Sequence, residues 1–235
     1  MRRALALLGL AAVLAGCAIG RPDSISGTSP PVLGPLEGIE WKGTLRGPLG
    51  GLGPQVDFHV FLRGDGEVWA EIRYDPDDGP PLHEVLLWND ASATLFDRRL
   101  RSTDLSDEPG RIDAFGEAFS VVDAAWLLTG CLVEGATDAW SLRDGEWRGR
   151  SAARGWRRDA GDPVSWTELV WREGEAIRTL RARVVEHATD ARLPRVLRID
   201  GPGFEAPVVF DAATVRFHAA LGDTIFDPLW SPAAE

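Results

Sequence analysis

Cys17 is the residue best placed for covalent chemistry. It closes the tetrad Leu14-Ala15-Gly16-Cys17, which follows Met1-Arg2-Arg3 and an apolar run from Ala4 to Leu14. A basic start, a short apolar stretch and small residues before a cleavage point make a secretory signal over residues 1–16. The tetrad looks like a bacterial lipobox, in which the cysteine takes acyl chains of the palmitate type and becomes the new N-terminus. An ordinary signal peptide with a coincidental cysteine is the plainer alternative. The run is too short for a spanning helix, which wants roughly 20 apolar residues.

Other residues give catalysis little support, so no enzymatic activity is expected. No G-x-S-x-G elbow or phosphate-binding glycine loop is present, and the glycines at 47–53 fit neither pattern. His83-Glu84 begins like a zinc-protease helix, but Leu87 stands where the second histidine is needed. His59, His83, His187 and His218 are isolated along the chain. Asp75, Asp77, Asp78 and Gly79 are too compressed for a calcium loop and read as a solvated turn. Asp104, Asp107 and Glu108 read as an exposed acidic loop. Glu168 lies between Trp166 and Trp171, as a carboxylate beside aromatic platforms would in a glycan-binding or glycan-cleaving β-sandwich; such cleavage takes two carboxylates. Cys131 has no histidine beside it to activate a thiolate and reads as a buried thiol. Nothing calls for a cofactor or a metal.

Composition narrows the partners. Cleavage before Cys17 removes Arg2 and Arg3 and takes the formal charge from −11 to −13. An acidic domain argues against nucleic acid, whose phosphates need a basic patch, and against adhesion to anionic headgroups. Membrane attachment is therefore expected from acyl chains, at roughly 0.8 kcal/mol per buried methylene. Once Cys17 is acylated only Cys131 remains, so no intramolecular disulfide is available and the core must hold the fold. Ten Trp and nine Phe supply that core. A monomer is expected.

Residues 17–37 are the lipidated cysteine and a Gly/Pro/Ser-rich tether; the domain occupies 38–235. Its dominant signal is period two. Ile39–Arg46, Gln55–Arg63 and Glu67–Tyr74 alternate apolar with polar, the last two around Gly64-Asp65-Gly66, a hairpin signal. Shorter strand-like runs follow at His83–Trp88, Ala93–Arg98 and Leu100–Thr103. From Phe115 to Leu128 the apolar residues recur at three- and four-residue steps, predicting one or two short helices. Asp113 can cap the start, Ser120 with Asp123 resembles an internal capping box, and Gly130 suits the stop. Strands resume at Ala139–Arg143, Glu146–Arg157, Trp166–Arg172, Ala176–His187, Leu193–Asp200, Glu205–Asp211 and Thr214–Ala219. The fold class is mainly β, with about eleven or twelve antiparallel strands in a curved sheet or open barrel; a two-sheet sandwich is the competitor.

Three stretches carry a resemblance. Trp126-Leu127-Leu128-Thr129-Gly130 is similar to a helix-ending "LL-x-G", Leu193–Ile199 to an "lP-x-x-i-x-i" strand, and Leu221–Pro228 to a closing "l-x-d-x-x-F-x-x-P" with its proline one place early. With the order of elements, they resemble the LolA/LolB-like family of bacterial lipoprotein carriers and receptors. That resemblance implies an antiparallel half-barrel whose apolar inner face, under a short helical lid, holds acyl chains of lipids or lipidated proteins. The family's leading helix is missing, since residues 18–37 are Gly/Pro-rich. The anchor places the chain nearer the receptor member. Ala18 in place of Asp, by likeness to proteobacterial lipoproteins, favours the outer membrane, facing the periplasm. The receptor's protruding leucine has a positional counterpart in Leu82, which otherwise reads as entry to the next strand.

Trp41, Phe58, Val60, Leu62, Val68, Ile72 and Tyr74 are then the expected groove lining, and Phe115, Phe119, Val122 and Trp126 the lid. Each of them also reads as plain core in any β-protein. A non-enzymatic interaction lipoprotein with a filled groove, and the glycan-handling sandwich, stay open as alternatives.

Overall fold

The computed structural model describes residues 30–47, 55–76, 79–97, 99–114, 117–133, 140–150, 154–161, 163–189, 193–202, 204 and 206–230. Cys17 and Phe115 lie outside them. Among the described residues there are fifteen strands: β1 (Gly38–Arg46), β2 (Gln55–Arg63), β3 (Val68–Tyr74), β4 (Leu82–Trp88), β5 (Ala93–Asp97), β6 (Ser102–Asp104), β7 (Arg111–Ala114), β8 (Glu117–Ser120), β9 (Trp140–Arg143), β10 (Glu146–Arg150), β11 (Arg154–Asp159), β12 (Trp166–Glu173), β13 (Ala176–His187), β14 (Pro194–Asp200) and β15 (Val208–His218). Helix α1 (Val121–Thr129) and a 3-10 turn, η1 (Asp223–Phe226), complete the set.

Thirteen of these strands form one antiparallel sheet in the order β6-β5-β4-β3-β2-β1-β15-β14-β13-β12-β11-β10-β9. The chain enters beside the middle, runs out to the β6 edge, and reappears at the β9 edge to return to β1. The sheet is not closed, consistent with a curved half-barrel and with more strands than the sequence suggested. Whatever joins its two edges must pass across a face. That connection carries the β7–β8 hairpin and α1.

Alternation sets the inner face. Ile39, Trp41 and Leu45 of β1 stand opposite Leu62, Val60 and Val56 of β2, and Val68, Ala70, Ile72 and Tyr74 continue the row on β3. They share one buried cluster with α1 and with inward residues of β10–β15. A smaller cluster of Phe61, Trp69 and Leu221 lies on the outer face, under the C-terminal segment.

Two differences from the sequence reading have clear causes. Glu205–Asp211 and Thr214–Ala219 are one strand, β15. Its pairing with β1 slips between Lys42 and Gly43, and the extra residue reverses the alternation, which in sequence looks like a break. A Cβ on Gly43 would meet the Asp211 carbonyl oxygen at 2.1 Å, so this close approach admits only glycine. Second, Glu117–Ser120, expected as helix, is instead strand β8, paired with β7 through Ile112 opposite Phe119 and Asp113 opposite Ala118. The Ser120/Asp123 capping box is the start of α1, not its interior, and Asp113 accepts a hydrogen bond from Ser106 Oγ at 2.7 Å rather than capping. The stop is as expected: Gly130 takes the left-handed conformation, φ 67°, and its N–H donates to the Trp126 carbonyl.

The end of the expected tether is docked. Val32 bridges Leu132, the Leu33 N–H donates to the Leu132 carbonyl, and Leu33 is buried.

Candidate functional site

The inner face brings the expected lining together. Trp41, Phe58, Val60, Leu62, Val68, Ile72 and Tyr74 are each at most 5% exposed and belong to the same cluster as α1. Phe58 stacks on Phe210 of β15 with ring centroids 4.7 Å apart. Tyr74 donates to Glu84 Oε2 at 2.8 Å, a buried carboxylate on the same face that the sequence offered only within an incomplete zinc-protease motif. Leu82 begins β4 opposite Tyr74 and packs half-buried against the core.

The cover is built from three lid residues and a polar hub. Phe119 (on β8 rather than on a helix) and Trp126 are buried, and Val122 is half-buried. Asp123, 1% exposed, fixes the arrangement. Its Oδ2 accepts from the Ser120 N–H and hydroxyl and from Arg154 Nε at 3.1 Å, while Oδ1 accepts from Trp156 Nε1 at 3.1 Å. Arg154 also donates to the Ala118 carbonyl and lies over the Phe119 ring. Trp126 Nε1 donates to the Glu168 carbonyl at 3.1 Å, Thr167 Oγ1 to the Leu127 carbonyl, and Arg158 Nη1 to the Gly130 carbonyl at 2.7 Å. Buried polar groups need such partners. They tie α1 to β11 and β12.

That tie is local. Helix α1 packs against β8, β12, β13 and β14. Nine helical residues make a cylinder about 13 Å long, whereas the eleven strands from β5 to β10 span about 50 Å of arc.

The outer face holds what the sequence scattered. Glu40 accepts from His59 Nε2 at 2.9 Å and His218 Nε2 at 3.0 Å, with Arg216 at 3.9 Å. The His59 hydrogen bond, offset by burial and helped by His218, holds the Glu40 carboxyl down at about 2. Glu71 stands directly opposite His59 and pairs with Arg73 and His83. Thus three histidines isolated in sequence share one face with two glutamates. The only cue was parity: they occupy the polar positions of β2, β4 and β15. His187 instead meets the Val164 carbonyl at 2.8 Å.

Glu168 and Trp171 point to opposite faces of β12. Trp171 is in the inner cluster, while Glu168 pairs with Arg181 at 2.8 Å, whose guanidinium lies over Trp166. Of the two aromatic platforms that flank the carboxylate in sequence, only Trp166 shares its face. Among the described residues no group of His, Cys, Asp or Glu could hold a metal ion, and no helix is long and apolar enough to cross a membrane.

No family model matches the chain, and no curated protein matches it. Among solved structures, it is similar to a DUF1329 family protein from Desulfovibrio piger ATCC 29098, at 11% identity and a TM-score of 0.40, over 82% of this chain and 90% of that one.

Proposed function

We propose that the chain is an outer-membrane lipoprotein, anchored through Cys17 and facing the periplasm, that binds acyl chains of lipids or lipidated proteins on the inner face and releases them without covalent chemistry. The observation carrying this reading is the breadth of the apolar inner face relative to the nine-residue α1, the one α-helix among the described residues, which is pinned at one side. On β1–β3 the face is aromatic and aliphatic but buried, so an acyl chain would enter by replacing apolar packing there, with no hydrogen bonds to make. Each methylene taken from water there is worth roughly 0.8 kcal/mol, less the cost of ordering. The lipobox and the LolA/LolB-like motifs support the same reading.

Burial of the seven lining residues favours a second reading, a tethered interaction protein whose groove is filled by its own side chains. One experiment separates the two. The full-length chain is titrated with a fluorescent fatty acid, and palmitate is added as competitor. One saturable, displaceable site, weakened in Val60→Trp, is the expected result. No saturable binding by a folded chain sinks the carrier reading and leaves the filled groove.

A further inference from the structure

A second site, on the outer face and independent of the inner groove, is marked by four observations. A pocket of about 290 Å³ lies between β3–β5 and the C-terminal segment, with Trp69, Glu71, His83, Phe96 and Trp230 among its walls. Trp69 is 1% exposed and its indole N–H is buried with no hydrogen-bond partner among the described residues. A buried donor left unsatisfied costs on the order of 1–3 kcal/mol, and such orphans in native proteins call for a reason. Leu100 at the pocket holds φ at 56°, a conformation bulky residues rarely take, with half its surface in solvent. Leu229, also at the pocket, is 71% exposed.

The walls define the chemistry of an occupant. Glu71 and Asp97 line the pocket, with no Lys or Arg among the lining residues. Glu71 is held below the usual carboxylate range, burial being outweighed by Arg73 and His83. Both of those partners fall on Oε1, and among the described residues none forms an ion pair with Oε2. Asp97 is already engaged by Arg101, so Glu71 is the carboxylate with an oxygen to offer. Trp69 and Glu71 are two positions apart on one face of β3, which spaces their Cα atoms by about 6–7 Å and puts a donor and an acceptor side by side on that face. Trp69, Phe96 and Trp230 add ring surface, on which ammonium groups settle favourably.

We propose that this pocket binds a small organic ammonium whose nitrogen pairs with Glu71 and whose acceptor atom takes the Trp69 N–H. A free arylalkyl amine and the ethanolamine headgroup of a phospholipid share that chemistry. The indole N–H resonances of the ¹⁵N-labelled full chain provide the readout, with Trp69→Phe identifying the Trp69 signal. Tyramine is added to one sample, and phosphatidylethanolamine nanodiscs, against phosphatidylglycerol nanodiscs, to another. A saturable shift of the Trp69 signal with tyramine assigns a free amine; a shift only with the ethanolamine lipid assigns a headgroup. In either case Glu71→Gln weakens binding roughly tenfold, as loss of a charge-assisted bond requires. Leu229→Ala, at an exposed position that leaves the core intact, weakens it by a smaller factor, and uncharged 4-ethylphenol does not compete. A Trp69 signal unmoved by both ligands, or equal binding by Glu71→Gln, overturns the proposal. Fatty-acid binding on the inner face is unaffected by Glu71→Gln, so the two sites fail separately.

Discussion

The two halves of the sheet are held to their cover by different forces. On the β11–β12 side the cover is tied by directed bonds: Asp123 to Arg154 and Trp156, Trp126 to the Glu168 carbonyl, Arg158 to the Gly130 carbonyl. On the β1–β3 side the inner face is almost wholly apolar, with Trp41, Phe58, Val60, Leu62, Val68 and Ile72 in plain contact. Directed bonds fix a position, because each one lost strands a buried polar group. Apolar contacts are non-directional and scale with area, so one apolar body can replace another at small cost. The molecule therefore has one half that specifies where α1 sits and one half whose packing is non-directional, the property that the proposed exchange of acyl chains needs.

The largest expected effect comes from breaking the first half. Asp123→Ala leaves the nearly buried Arg154 guanidinium and the Trp156 N–H short of their acceptor. Removing one partner of a buried ion pair costs about 3–5 kcal/mol, and urea unfolding measures it. Asp123→Asn keeps an oxygen for one donor and should lose less. If Asp123→Ala unfolds at the same urea concentration as the parent, the hub does not hold the cover.

The apolar half has its own polar tie, on the opposite face. Glu40 joins β1 to β2 through His59 and to β15 through His218. Its carboxyl titrates at about 2 in the folded chain against 4.5 for the free group. A depressed folded value means that the unfolded chain binds the proton first. The stabilisation is therefore complete above about pH 4.5 and disappears as pH falls through 2. Its size is on the order of 3 kcal/mol. Unfolding free energy measured from pH 6 to pH 2 should drop more steeply in the parent than in Glu40→Gln; parallel curves would remove Glu40 from this role.

The sequence exposed the local elements of both halves more readily than the long-range contacts that latch one of them. Strands β2 and β13 begin and end where alternation predicts, Asp144-Gly145 makes its turn with φ of 53° and 76°, and Gly130 ends α1. These signals are local, each written within a few residues. The hub was hidden because Asp123 meets Arg154 and Trp156 more than thirty positions away, and no periodicity encodes a meeting of that kind. The β7–β8 hairpin was read as helix because Phe119 and its neighbours recur at helical steps, whereas pairing of Ile112 with Phe119 depends on a short turn between them. The histidines of the outer face were missed for the same reason as the hub: parity assigns a face, but only register puts Glu40 between His59 and His218.

A gentle change in the apolar half gives a smaller and more informative effect. Ile72 is fully buried on β3 beside Phe58. Ile72→Val removes one methylene and should cost about 0.5–1.5 kcal/mol in urea unfolding. If this half exchanges partners, saturating palmitate should restore part of that loss in the variant. An equal deficit with and without palmitate would mean that no bound chain reaches Ile72.

The smallest effect tests whether charge alone, rather than burial, distinguishes the latched half. Arg178 and Glu173 pair at 2.6 Å on the β12–β13 hairpin, with both side chains 44% exposed. The hairpin belongs to the same half as Asp123, and the pair is shorter than any bond Asp123 makes to Arg154 or Trp156. Distance nevertheless does not set its worth, because water solvates both ions when the pair opens, and exposed pairs contribute about 0–1 kcal/mol. Arg178→Ala should shift the urea midpoint by less than Ile72→Val does, and 0.5 M salt should erase what shift there is. A loss as large as that of Asp123→Ala would show that the half is held by its surface charges, and the contrast between directed and apolar cover would have to be redrawn.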